Sequence, residues 1–168
     1  MQKYIIQTNH LGLRLLEKND IHYLESLESD SEVKKFFPNG ASTREQVVAR
    51  INDFISYYEE KGLPSFVMFE LESGEFIGRC GFAPVETGEI EVGYVLHKKF
   101  WNKGYASEAL TALLEWAKQN INADYIIAFA PVGHIASQRV MQKCGMKHYK
   151  NDIAKGVSCS FYRIKNLN

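Results

Sequence analysis

Glu91-Val92-Gly93-Tyr94-Val95-Leu96-His97-Lys98-Lys99-Phe100-Trp101-Asn102-Lys103-Gly104-Tyr105-Ala106 is the stretch on which the fold turns. Its first half alternates as a strand does, sending Ile90, Val92, Tyr94 and Leu96 to one face and Glu91, Gly93 and Val95 to the other. From about Tyr105 to Asn120, residues Ala106, Ala109, Leu110, Leu113, Leu114, Ala117 and Ile121 keep one apolar stripe at helical spacing. The segment therefore reads as strand, basic turn, helix. A helix N-terminus offers unpaired amide N–H groups and the positive end of the macrodipole, so it attracts phosphate. Gly104 lets a ligand approach the backbone, and Lys98, Lys99 and Lys103 add positive charge. The GxxxxGK[ST] and GxGxxG patterns are both absent, so triphosphate and dinucleotide readings have no support. On spacing alone, an ordinary strand-to-helix turn with solvated lysines accounts for the same residues.

Working outward, Leu11–Leu16 reads as a first strand, and Asn19 or Asp20 caps a short helix with Ile21, Leu24 and Leu27 inward. Ser42 and Glu45 form an S-x-x-E capping box. The helix it opens carries Val47, Ile51, Phe54, Ile55 and Tyr58 at helical spacing and stops at Gly62. Strands follow at Ser65–Leu71, Phe76–Ala83 and Glu89–Leu96, broken at Ser73-Gly74 and Thr87-Gly88. Tyr125–Ala130 is apolar without alternation, as in a strand covered on both faces. A helix from about Ile135 to Cys144 ends at Gly145, and the tail adds one or two strands, Phe161–Ile164 being the clearest. The order predicts an α/β fold, a mixed sheet flanked by helices, in one domain over residues 1–168.

Composition narrows the function. Hydrophobic residues are 45% of the 168, enough for a sizeable core and too many for a disordered chain. Twenty basic residues balance twenty acidic ones, whereas a protein that neutralises phosphates along a nucleic acid usually carries a basic surplus. Nucleic-acid partners are therefore not expected. Cys80, Cys144 and Cys159 are odd in number and form no CxxC pair, which predicts reduced thiols and no metal. No apolar run approaches the roughly 20 residues of a membrane helix. The stretch Met1–Gln7 is too short and polar for a signal peptide, so a cytoplasmic protein without a membrane partner is expected.

Trp101-Asn102-Lys103-Gly104-Tyr105-Ala106-Ser107-Glu108-Ala109 resembles the pyrophosphate loop of the GNAT acetyltransferases, whose general pattern is Q/R-x-x-G-x-G/A. It is most similar to the branch of ribosomal-protein N-terminal acetyltransferases. Leu13-Arg14-Leu15 with Asn19-Asp20, Ile77-Gly78-Arg79-Cys80-Gly81, and Val92-Gly93-Tyr94-Val95-Leu96 resemble other parts of that branch, in order. So do His134-Ile135-Ala136-Ser137, Arg139-Val140 and Lys143-Cys144-Gly145-Met146, which look like its late helix. Three departures stand out. Asn102 replaces a usual glycine and tolerates left-handed backbone; His134 replaces the usual Asn; Met141 occupies the position of a tyrosine acid in many relatives.

The resemblance implies the GNAT fold, with a mostly antiparallel sheet whose fourth and fifth strands, here 89–96 and 125–130, splay apart to admit acetyl-coenzyme A. It implies an N-acetyltransferase that passes acetyl to a primary amine by direct attack through a tetrahedral intermediate. Backbone groups of Tyr94, Val95 and Leu96 would pair with the pantetheine arm, and the loop Trp101, Asn102, Lys103, Gly104, Tyr105 and Ala106 would meet the pyrophosphate. His134 and Ser137 would contact the cofactor, and a backbone N–H at Val95 would receive the oxyanion. For the base the choice is Glu91, set in an apolar strand; its other readings are a pair with Arg79 or exposure to water, with Glu89 a lesser candidate. Ser137 either holds the departing thiolate or merely satisfies a local N–H. Trp101 and Tyr105 have a packing role as their alternative. The segment Phe36-Phe37-Pro38-Asn39-Gly40 would line the acceptor cleft, open to a peptide or protein N-terminus, a small amine or an antibiotic. Monomer and homodimer are both compatible. The alternative from another class is a non-catalytic acyl-coenzyme A sensor, which Met141 and His134 favour.

Overall fold

In the computed structural model, which describes residues 3–167, eight strands form one sheet. They are β1 (Ile6–Gln7), β2 (Leu11–Leu15), β3 (Ser65–Glu70), β4 (Phe76–Pro84), β5 (Ile90–Leu96), β6 (Tyr125–Pro131), β7 (Lys147–Ala154) and β8 (Val157–Lys165). The helices are α1 (Ile21–Glu28), α2 (Arg44–Lys61), α3 (Tyr105–Asn120) and α4 (Ile135–Lys143). The strands lie in the order β1-β2-β3-β4-β5-β6-β8-β7, antiparallel throughout except for β5 beside β6. This is the mixed α/β sheet that the element order predicts. The short β1 moves the count by one, so the strands expected to splay are β5 and β6. No helix among the described residues is long and apolar enough to cross a membrane.

The sheet carries its helices on two faces, as the sequence stripes require. Leu110, Leu113, Leu114 and Ala117 of α3 and Met141 of α4 pack with Leu13, Met68, Phe82, Val92 and Leu96 in the main core. On the other face Leu24 of α1 and Val47 and Ile51 of α2 cover Val67 and Phe69. Fully burying each such side chain contributes roughly 1.5–3 kcal/mol. The unbroken apolar run of β6 reflects cover on both sides, with Ile126 and Ala128 in the main core and Ile127 in a group with Cys159 and Phe161.

Two helix starts differ from expectation. The capping box of α2 is Thr43 with Gln46, one residue past the predicted Ser42 and Glu45: Thr43 Oγ1 accepts from Gln46 N at 3.2 Å and Gln46 Oε1 accepts from Thr43 N at 2.9 Å. Ser42 is engaged elsewhere, its N–H donating to Glu28 O at 2.8 Å and its hydroxyl accepting from Lys34. Asp20 stands at the N-cap of α1, yet its carboxylate does not cap the helix. It receives Glu17 N and the Arg14 guanidinium at 2.8–3.1 Å instead.

Glycine at position 78 is demanded by close approach. A Cβ there would collide with the carbonyl oxygen of Val95 on β5. The glycine-framed strand thus lets β4 lie tightly along β5.

Candidate active site

The two central strands touch at a single register pair, Glu91 with Ile127, and then part. Which backbone groups face the gap follows from the β4–β5 ladder. His97 N donates to Ile77 O and Val85 N to Glu89 O, so residues 91, 93, 95 and 97 are the ones that exchange hydrogen bonds with β4. Tyr94 and Leu96 point their backbone groups the other way, into the opening. This corrects the assignment of the oxyanion donor and of one pantetheine partner: the Val95 amide is committed to Arg79 of β4, and its register partner fixes it there. The Leu96 carbonyl is also taken, accepting the indole N–H of Trp101 at 2.9 Å. Both N–H and C=O of Tyr94, and the N–H of Leu96, remain for a ligand.

At one end of the gap, Lys98–Phe100 make a 3-10 turn and Asn102 and Gly104 take positive φ, 61° and 81°, before α3 begins. Asn102 adopts the left-handed angle expected of it. The loop anchors itself through buried Phe100 and the Trp101 indole, which keeps 38% of its surface exposed. Tyr105 likewise ties down the loop, donating to Glu70 at 2.5 Å. The basic surplus is smaller than the sequence suggests. Lys99 pairs with Glu75 at 2.8 Å and Lys98 with Glu32 at 3.9 Å, whereas Lys103 pairs with no carboxylate among the described residues. Amides of the first turn of α3 stay open, since helical bonding begins with Glu108 N to Gly104 O. Open amides of that turn and the Lys103 ammonium thus stand together at this end of the gap.

Glu91 and Ser137 flank the opening from opposite faces. Glu91 is half-buried and makes no hydrogen bond or ion pair among the described residues. Its pairing with Arg79 does not occur, because Arg79 binds Glu28 at 2.6 Å. Burial pushes the Glu91 carboxyl up, opposed by the positive charges of Lys155 and Arg79. Glu89 sits in the turn, accepting from Thr87 at 2.8 Å. On the other face the Ser137 hydroxyl meets the Tyr94 hydroxyl at 3.1 Å, and it caps no helix amide. Burial pushes the Tyr94 phenol up to about 12, so it stays a hydrogen-bond donor at neutral pH.

Sequence reasoning used Tyr94 for its backbone alone and missed its side chain. The signal was present: Tyr94 is the one polar group on the inward face of β5, opposite a helix that offers Met141 where a tyrosine is common. Met141 itself is buried in the main core. His134 is drawn elsewhere. Its ring stacks on Phe36 at 4.1 Å and 8°, joining the α1–α2 loop to the start of α4, and burial lowers its basicity. A second miss is a buried group of charges around Glu28, on the face that carries Glu91.

Comparison with known proteins identifies the family. The family described as acetyltransferase (GNAT) domain matches residues 10–147. The uncharacterized N-acetyltransferase YnaD of Bacillus subtilis is 35% identical over 156 residues, covering 90% of this chain and 89% of the relative. A GNAT-family acetyltransferase of Bacillus anthracis superposes with a TM-score of 0.79 at 27% identity, covering 96% and 98% of the two chains. The ribosomal L7/L12 α-N-protein acetyltransferase RimL, solved with coenzyme A, gives 0.82 at 16% identity, covering 97% and 98%.

Proposed function

Since the chain belongs to the GNAT acetyltransferase family and is an acetyl-coenzyme A-dependent acetyltransferase, we propose that it acetylates the α-amine of a peptide or a small primary amine at the β5–β6 opening. The observation that carries this reading is the parting of β5 from β6 with Glu91 on one face and the Ser137–Tyr94 pair on the other. Acetyl-coenzyme A is the donor substrate. The open α3 amides and Lys103 suit its pyrophosphate, and the unused backbone groups of Tyr94 and Leu96 suit its pantetheine arm as an added strand would.

Glu91 takes one proton from the acceptor nitrogen as that nitrogen bonds to the acetyl carbon. A carboxyl raised by burial lies nearer the working pH, which favours general-base action. The oxyanion of the tetrahedral intermediate is held by an amide facing the gap, that of Tyr94 or Leu96. When the carbon–sulfur bond breaks, its electron pair stays on sulfur, and the hydroxyls of Ser137 and Tyr94 hold the thiolate until it takes up a proton. The balance is amine plus acetyl thioester to amide plus free thiol.

An acetyl-coenzyme A-dependent thiol-release assay across peptides of varied N-terminus and a panel of small amines tests this. Activity is expected to rise between about pH 7 and 9, where an α-amine loses its proton. Blocking the α-amine of an accepted peptide, with its lysines free, stops the reaction. Undiminished acetylation of lysine in the blocked peptide, read by mass spectrometry, would overturn the acceptor assignment.

A further inference from the structure

One buried carboxylate on the Glu91 face is surrounded by three cations. Glu28, at the end of α1, is fully buried. Its Oε1 receives Arg79 through Nη2 at 2.6 Å and Nε at 3.0 Å, and Lys34 Nζ stands 3.6 Å from the same oxygen. Arg50 Nε lies 3.4 Å from Oε2, which accepts no hydrogen bond. Lys34 is 1% exposed and Arg79 9%. Lys34 also donates to Ser42 Oγ at 3.2 Å and stands 4.2 Å over the Phe37 ring. Asp53, which also acts on Arg50, is exposed on α2.

Buried positive charge in excess is costly unless an anion meets it. Tying α1 to the sheet needs only Arg79, whose fork already grips Glu28. Lys34 and Arg50 are in surplus. Arg50 is half-buried, and its terminal nitrogens make no hydrogen bond among the described residues.

The surplus also sits on the face of the sheet that carries Glu91. Phe37, under the Lys34 ammonium, packs with Leu27, Val33 and Val95, so Lys34 borders β5. Arg50 and Tyr57 are seven residues apart on one side of α2, and Glu91 is among the charges that act on Tyr57. Cation and base therefore stand on the same face of the sheet, Arg50 reaching it through Glu28 and Arg79, the register partner of Val95.

Resting on the amine-acetylation reading above, we propose that the acceptor carries a carboxylate beside its amine, bound by Arg50 with Lys34 behind it. An amino acid, or a peptide whose first residue is acidic, has this chemistry. Polyamines and aminoglycosides meet like charge and are rejected.

The test pairs acceptors that differ only in charge: peptides beginning with Asp or Glu against those beginning with Asn or Gln, and amino acids against their amides at equal free amine. The acid member is expected to be favoured about 10- to 100-fold in kcat/KM, through KM, as for a hydrogen-bonded ionic contact. The free amino acid and peptide arms separate the two sources. Arg50→Gln brings the preference near one, and Arg50→Lys restores part of it. Succinate, which has no amine, is expected to raise Tm in the wild type and not in Arg50→Gln. Equal use of acid and amide, or an unchanged preference in a folded Arg50→Gln, would overturn the carboxylate subsite and leave the enzyme reading standing. No transfer to any acceptor overturns both.

Discussion

A carboxylate near the reacting atoms is useful only if its basicity matches the task, and Glu91 owes its raised pKa to burial in an apolar strand. Glu91→Gln keeps the shape and removes the proton acceptor. Its rate should fall about 10²–10⁴-fold, with acetyl-coenzyme A binding nearly unchanged. The sign in pH follows. Glu91 acts when deprotonated, so wild-type activity is lost as pH falls through its raised pKa, and that acid limb disappears in the variant. A pH–rate profile identical in shape would clear Glu91 of the role. Across the gap, Tyr94 and Ser137 touch at 3.1 Å and are expected to act as a unit on the thiolate. Tyr94→Phe and Ser137→Ala should each lower kcat more than they weaken acetyl-coenzyme A binding, and the double variant should be little worse than either. Strict additivity of the two losses would separate the residues and return Tyr94 to packing.

At the scale of elements, the start of α3 carries the proposed pyrophosphate site. Gly104 holds φ at 81°, and a Cβ placed there would meet no protein atom within 4 Å. A substituent would therefore project into open space beside the α3 amides, the proposed place of the pyrophosphate, at a backbone cost on the order of 1–3 kcal/mol. Acetyl-coenzyme A should raise the Tm of the wild type in proportion to ln(1 + [L]/Kd), and Gly104→Glu should abolish the shift in a protein that still folds. Retention of the full shift would place the pyrophosphate elsewhere. The element on the far side of the cleft is the α1–α2 loop, which reaches the start of α4 through the Phe36–His134 stack.

Over the whole molecule, the charges around Glu28 join α1, α2 and β4 and leave a signature in stability. Burial draws the Lys34 ammonium down from 10.5 to about 8, with the Glu28 carboxylate opposing and Arg50 and Arg79 adding to the fall. Between those two values the unfolded chain binds more protons than the folded one, so this group makes stability rise with pH from about 8 to 10.5. Lys34→Met should remove that component of the slope in denaturant melts taken across the window; an unchanged slope would mean that Lys34 is not desolvated in solution. The sequence by itself determined the long elements and the loop. The stripe of α3 runs without interruption from Ala106 to Ile121, and alternation fixed which face of β5 carries Glu91, because periodicities of 3.6 and 2 are properties of a single segment. The left-handed turn into α3 was legible for the same reason, being built from consecutive residues. Tertiary structure alone decided what depends on partners far apart in the chain. The phase of the β4–β5 ladder turns the Val95 amide away from the gap and Tyr94 toward it. Glu28, 51 residues from Arg79, takes the guanidinium that the sequence alone offered to Glu91. Hydrogen bonds and ion pairs are settled by competition among groups brought together on folding, and no local pattern ranks those competitors.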